Sequence, residues 1–199
     1  MAARILQLVI WCFVLGAGIA LLLDARLGSD GFSTLVNGLR LTTGTPFWLM
    51  NIVVSAAFVL TAMARGLRPG LGTVLQIVIV GVAVSAALPL TPSPESFVGR
   101  GVELILALAL VALGVAGYLA TELGAGPAEA VAIAFDPPVA FRWTYSAVQI
   151  GSALVGWSLG ADIGIATIIV IFFLGPVVDL ASRLVFRKDP SAQGRPALD

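Results

Sequence analysis

Six long apolar runs, at 5–23, 46–64, 71–90, 102–120, 139–159 and 163–186, alternate with short polar or glycine- and proline-rich breaks. Each holds about 20 residues, enough at ~1.5 Å per residue to cross a bilayer core of about 30 Å as a helix. Arg65-Gly66-Leu67-Arg68-Pro69-Gly70 closes the second run and Pro89-Leu90-Thr91-Pro92-Ser93-Pro94 the third, because proline and glycine both interrupt helices. Between the first two runs lies a semi-polar stretch with a short apolar-periodic segment at 32–41. Between the fourth and fifth, a second short segment at 127–135 stops at Asp136-Pro137-Pro138. At roughly ten residues, neither short segment can cross as a helix. The order is therefore long, short, long, long, given twice. The first run exceeds the roughly 7–15-residue apolar core of a removable leader and has a counterpart at 102–119, so it is expected to remain as a transmembrane helix.

The repetition reaches individual residues. Leu27-Gly28 recurs as Leu123-Gly124, a displacement of 96 (123 − 27). Gly70-Leu71-Gly72-Thr73 with Gly81 recurs as Gly164-Ile165-Ala166-Thr167 with Gly175, a displacement of 94 (164 − 70). A shift this constant marks an internal duplication with one short deletion between the markers. Three crossings per copy make the second copy enter the bilayer from the opposite side. Many transporters share that inverted arrangement, with their sites between the halves. The sequence thus predicts an all-α membrane protein of six transmembrane helices in two inverted three-helix repeats, each with a short re-entrant or interfacial helix. Residues 1–90 form the first repeat, 91–100 the linker, 101–186 the second repeat and 187–199 a disordered cytoplasmic tail. Basic residues set the orientation. With both termini in the cytoplasm, Arg4, Arg65, Arg68, Arg142, Arg183, Arg187, Lys188 and Arg195 lie inside, eight of the eleven, and Arg26, Arg40 and Arg100 lie outside.

Composition narrows the chemistry. Apolar residues fill 59% of the 199 positions and charged residues 11%, against roughly 25% charged in soluble domains, so the chain cannot hydrate its own surface. A formal net charge of zero supplies no basic field for nucleic acid. Histidine, the commonest acid–base group near neutral pH and the commonest metal ligand, does not occur. Cys12 is the single cysteine and sits inside the first run, which rules out a disulfide or a thiolate metal site within the chain. No Ser/Lys or paired-Asp constellation falls at membrane depth, so an enzyme is not expected, nor a metal or cofactor.

Charged side chains avoid the middle of all six runs. A mid-bilayer carboxylate is the usual mark of proton coupling, so a proton-driven pump is disfavoured unless Glu129 reaches inward. Asp179 and Arg183, one turn apart, read as an interfacial ion pair. Helix-start chemistry marks both short segments. Asp30 or Gly126 can cap, Pro127 suits the first helical position, and Glu129 falls in the first turn. A helix that starts at membrane depth offers unpaired N–H groups and a partial positive charge to a substrate. The alternative is a pair of amphipathic helices lying at the interface. Asn51 with Ser55, and Tyr145 with Gln149, are each four apart and share a helix face; the 94-residue displacement puts Asn51 on Tyr145 and Ser55 on Gln149. Gln76 adds a polar side chain on the third run. Such stripes ordinarily hydrogen-bond between helices, and substrate contact is the other reading. The candidate substrate-binding set is Asp30, Ser33, Asn51, Ser55, Gly126, Glu129, Tyr145 and Gln149. Gly16, Gly18, Gly114 and Gly117 read as close-packing positions.

These residues also carry a resemblance. Leu27-Gly28, Gly70-Leu71-Gly72-Thr73 with Gly81, Leu123-Gly124-Ala125-Gly126-Pro127, Arg142 and Gly175-Pro176 resemble the bacterial YczE/YyaS/YitT-type membrane proteins over about residues 16–184. The resemblance implies a multi-pass protein of the bacterial plasma (inner) membrane, and no cofactor. Gly31-Phe32-Ser33 stands where relatives tend to carry Pro-Trp-Asp, Ala128-Glu129-Ala130 where Arg-Asp-Gly is frequent, and Gln149 where the fifth span usually carries glutamate. Of those acidic positions Glu129 alone keeps a carboxylate, which favours a neutral or altered ligand, or a retained scaffold with changed activity. The expected function is transport or export of a small neutral or amphipathic solute through a site between the repeats. The alternative is a membrane-embedded partner or substrate-capturing subunit of a larger complex. Expected partners are the lipid bilayer, that solute, and a second copy of the chain or a membrane partner subunit.

Overall fold

The computed structural model describes residues 1–185. Among them are eight α-helices and no strand: α1 (Ala2–Asp24), α2 (Gly31–Thr43), α3 (Phe47–Ala64), α4 (Leu71–Ala87), α5 (Phe97–Leu119), α6 (Pro127–Ala134), α7 (Phe141–Ser158) and α8 (Ile165–Val185), with a 3₁₀ turn (Leu88–Leu90) prolonging α4. The tail expected at 187–199 lies outside the described residues. Five helices, α1, α3, α4 with its 3₁₀ extension, α5 and α8, are long and apolar enough to cross a membrane. α7 reaches 18 residues but is the least apolar of the long helices, because Arg142, Tyr145, Gln149, Ser146, Ser152 and Ser158 interrupt it. The fifth run read from the sequence therefore falls short of that standard. Its polarity is one-sided: Gln149, Ser152, Ala153 and Gly156 are buried, while Ile150, Leu154, Val155 and Trp157 are exposed.

Caps explain the boundaries. α2 starts at Asp30, whose carboxylate accepts the Ser33 N–H at 2.9 Å, and ends at Gly44 in the left-handed conformation (φ 70°). α5 begins inside the expected 91–100 linker, since the Ser96 hydroxyl accepts the Gly99 N–H at 3.0 Å and sets the first turn there.

Close helix crossings organise the interior. A β-carbon on Gly114 would lie 2.7 Å from Leu15 Cα, one on Gly18 would lie 2.8 Å from Val111 N, and one on Gly117 would enter the Trp11 ring. Numbers rise along α1 as they fall along α5, so the two helices run antiparallel. Gly16 brings α1 against Ala83 of α4 in the same way. α5 packs on α8, α2 on α3 and α7, and α6 on α3 and α7. Two backbone hydrogen bonds then fasten helix starts to distant turns: Gly72 N–H donates to Leu123 O at 2.8 Å, and Ala166 N–H to Leu27 O at 2.9 Å. Gly28 (φ 97°) and Gly124 (φ 148°) follow those acceptors in conformations that side chains resist.

Outward faces stay apolar. Phe13, Leu60, Ile105, Phe172 and Phe173 are all exposed, which fits contact with lipid and not with water. The expected Asp179–Arg183 pair does not form; the ion pair among the described residues joins Arg4 to Glu122 at 2.8 Å. Both pairs are exposed, so neither is expected to contribute more than about 1 kcal/mol.

Gly114→Ala is expected to lower the thermal unfolding midpoint in detergent, by an overpacking penalty of about 1–3 kcal/mol. Gly175→Ala, whose added carbon would meet nothing within 4 Å, should leave the midpoint unchanged or raise it.

Candidate functional site

The short helices start deep in the packing. Gly31, at the head of α2, lies on the backbone of Gln149 in the middle of α7, and Gly38 lies on Gly156 and Leu159 near its end. α2 thus follows only the second half of α7. α6 begins beside Gln76 of α4 and Tyr118 of α5, where Glu129 in its first turn accepts the Tyr118 hydroxyl at 3.3 Å. Around the two starts is a cavity of about 100 Å³, lined by residues from all eight helices or their caps.

Seven of the eight residues chosen from the sequence line this cavity: Asp30, Ser33, Asn51, Ser55, Glu129, Tyr145 and Gln149. Gly126 does not. It caps α6, and a β-carbon there would run into the Glu129 carboxylate and sit 3.2 Å from Gln76 Nε2. Its role in the geometry is to leave room for those two side chains. Phe32, Phe47, Gln76 and Tyr118 complete the polar and aromatic wall and were outside the set. Gln76 carried a signal, as a lone amide in an apolar run. Tyr118 carried none, because an aromatic near a span end ordinarily reads as part of the interfacial belt.

Hydrogen bonds fix the polar groups. Gln149 uses both ends of its amide: Oε1 accepts the Phe32 N–H of α2 at 3.1 Å, and Nε2 donates to the Tyr145 hydroxyl at 2.8 Å. The Tyr145 hydrogen is then left to donate elsewhere, while its ring stacks on Phe141 with centroids 5.5 Å apart. Asn51 Nδ2 donates to Ile77 O at 2.7 Å, which ties α3 to α4. The Tyr118 hydroxyl, with the Gln76 side chain near it, serves Glu129. Among the described residues four buried side-chain atoms have no partner: both Glu103 oxygens, away from the cavity, and, on its wall, Ser55 Oγ and Gln76 Oε1. Buried polar groups are nearly always paired, so the two on the wall stand out as places for a ligand or water.

Two carboxyls face this space, neither on a helix long enough to cross a membrane. Burial pushes Asp30 above the usual carboxylate range, against the hydrogen bonds from Ser33. Burial does the same to Glu129, where the Tyr118 hydrogen bond opposes the shift and the nearby Asp30 charge adds to it. Glu129 therefore reaches inward, the condition under which the sequence leaves proton coupling open. Among the described residues no three His, Cys, Asp or Glu side chains converge as metal ligands.

Apolar helices with exposed apolar faces, closed around a polar interior, define a multi-pass membrane protein. The family described as "Family of unknown function (DUF6198)" matches residues 2–183, and the chain belongs to it. It is 26% identical over 176 residues to an uncharacterized protein of Haemophilus influenzae, covering 87% of this chain and 81% of that one. It is 22% identical over 169 residues to the uncharacterized membrane protein YczE of Bacillus subtilis, covering 83% and 79%. The YczE-type resemblance read from the glycine markers holds. No solved structure matches the chain.

Gln149→Leu would strip the Phe32 N–H and the Tyr145 hydroxyl of their partner. It is expected to destabilise the protein by about 1–3 kcal/mol, read as a lower unfolding midpoint. Tyr145→Phe, which removes one hydroxyl and leaves the Phe32 bond intact, should shift the midpoint less.

Proposed function

We propose that this protein is a small-solute transporter or exporter of the bacterial inner membrane, not an enzyme, with its site between two inverted repeats. In this reading α1, α3 and α4 cross in the first repeat and α5, α7 and α8 in the second. α2 and α6 are re-entrant helices whose starts face one common site. The observation that carries the proposal is the cavity where those two starts meet the polar stripes of α3 and α7.

Several contacts support it. The first helices of the two copies, α1 and α5, run antiparallel, as inverted copies must. α1 packs on α4 while α5 packs on α8, and α2 packs on α7 while α6 packs on α3, so each contact recurs with the copies exchanged. The Gly72–Leu123 and Ala166–Leu27 hydrogen bonds are likewise one contact made twice, with the roles reversed. α7 serves as the sixth crossing because its polar face is turned inward and its apolar face outward. A crossing helix tolerates polar groups on a face that lines a cavity. α2 starts at the midpoint of α7 and ends beside its last turn, which favours a re-entrant helix over one lying flat at the interface. The distribution of arginine and lysine favours both termini in the cytoplasm.

The test needs no known solute. Cys12→Ala removes the single cysteine, and Ser55→Cys then places one thiol at the cavity wall. A membrane-impermeant maleimide applied to right-side-out and inverted vesicles should label that thiol from both faces. Labelling from one face alone, or from neither, would contradict a carrier and favour the partner-subunit alternative.

A further inference from the structure

We infer that the cavity binds a small primary ammonium cation, with Glu129 as its counter-ion. The inference rests on the solute-site reading above and adds the chemical class of the solute.

Charge is the first argument. The lining carries two carboxyls, Asp30 and Glu129, and neither lysine nor arginine. Each helix start contributes roughly half a positive charge, so the starts of α2 and α6 offset about one of the two carboxylate charges. The remaining carboxylate has no charged partner in a buried site, where it must either take up a proton, the direction in which burial pushes Asp30 and Glu129, or meet a cation. A monocation restores the balance. The same wall holds the rings of Phe32, Phe47, Tyr118 and Tyr145, whose faces attract cations. An anion would meet the carboxylates and the rings together.

Hydrogen-bond directions narrow the class further. Tyr118 gives its hydroxyl hydrogen to Glu129 Oε1. Gln76 Oε1, on a side chain only 7% exposed, has no donor. Ser55 Oγ, also buried, has no partner either. Of Asp30, Oδ2 is taken by the Ser33 N–H. Of the open groups Gln76 Oε1 only accepts, the Ser55 hydroxyl can accept or donate, and Tyr145 keeps a hydrogen to donate; the unpartnered acceptor beside the carboxyls calls for a ligand bearing N–H donors. A primary ammonium carries three and a quaternary ammonium none. Leu15, Ile19, Val80 and Val111 provide an aliphatic wall for a short alkyl chain, which a bare metal ion could not use. The volume of about 100 Å³ suits a small ligand. The neutral solute favoured by the departures from the family pattern gives way here to a cation, because the fold brings Asp30 and Glu129 to one cavity.

Calorimetric titration of the full chain in detergent at pH 8 tests the assignment, with ethylammonium chloride as probe and 1-propanol, tetramethylammonium chloride and potassium chloride as comparisons. Saturable binding of ethylammonium is expected, with each comparison at least about tenfold weaker. Glu129→Gln should weaken ethylammonium by at least about tenfold, with an unchanged unfolding midpoint as the check on folding. Gln76→Leu, which removes the open acceptor, should weaken it in the same direction and stands in if Glu129→Gln fails to fold. Absence of saturable ethylammonium binding would overturn the inference. So would a comparison compound that binds as well, or undiminished binding in the substituted chains. Ethylammonium binding with Ser55→Cys labelled from one face would keep the ligand and remove the transporter. Labelling from both faces without ethylammonium binding would do the reverse.

Discussion

A helix whose start is buried in the packing leaves its first N–H groups without water to pair them, so other parts of the chain must supply partners. This requirement governs the structure. The Phe32 N–H at the head of α2 is satisfied by Gln149, the Gly72 N–H at the head of α4 by Leu123 O, and the Ala166 N–H at the head of α8 by Leu27 O. Each partner lies in the other half of the chain. Those helix starts are thus satisfied by the docking of the two halves.

The glycines follow from the same demand. Gly28 and Gly124 stand next to the two accepting carbonyls in turn conformations that side chains resist, and the Thr167 and Thr73 hydroxyls occupy the space a β-carbon would need. Gly18 and Gly114 let α1 and α5 approach closely enough to align the halves. The cavity lies where the starts of α2 and α6 meet the long helices. In the proposed inverted frame the backbone is symmetric and the chemistry is not. The displacement of 96 puts Asp30 on Gly126 and Ser33 on Glu129, so the two carboxyls enter from non-equivalent positions.

Much of this was legible beforehand. Apolar runs and breaking residues located the long helices, and the displaced Leu-Gly and Gly-x-Gly-Thr markers turned out to be the residues of the two crossing hydrogen bonds. The stripes Asn51–Ser55 and Tyr145–Gln149 face the same cavity because residues four apart share a helix face. Other features depend on tertiary partners. Ser96 as a cap was hidden inside a proline-rich stretch that read as linker. α7 looked like an apolar span, yet its amide and hydroxyls serve α2 and the cavity. Tyr118 has no counterpart at the repeat displacement and no polar neighbour in sequence, so only the arrival of α6 gives its hydroxyl a partner.

The most direct measurement concerns the turns that follow the equivalent helices α3 and α7. Topology reporters fused after Arg68 and after Asp162 would report the side of the membrane each turn occupies. The account predicts Arg68 on the cytoplasmic face and Asp162 on the outer face, with α7 crossing between. Finding both reporters on one face would contradict the inverted arrangement.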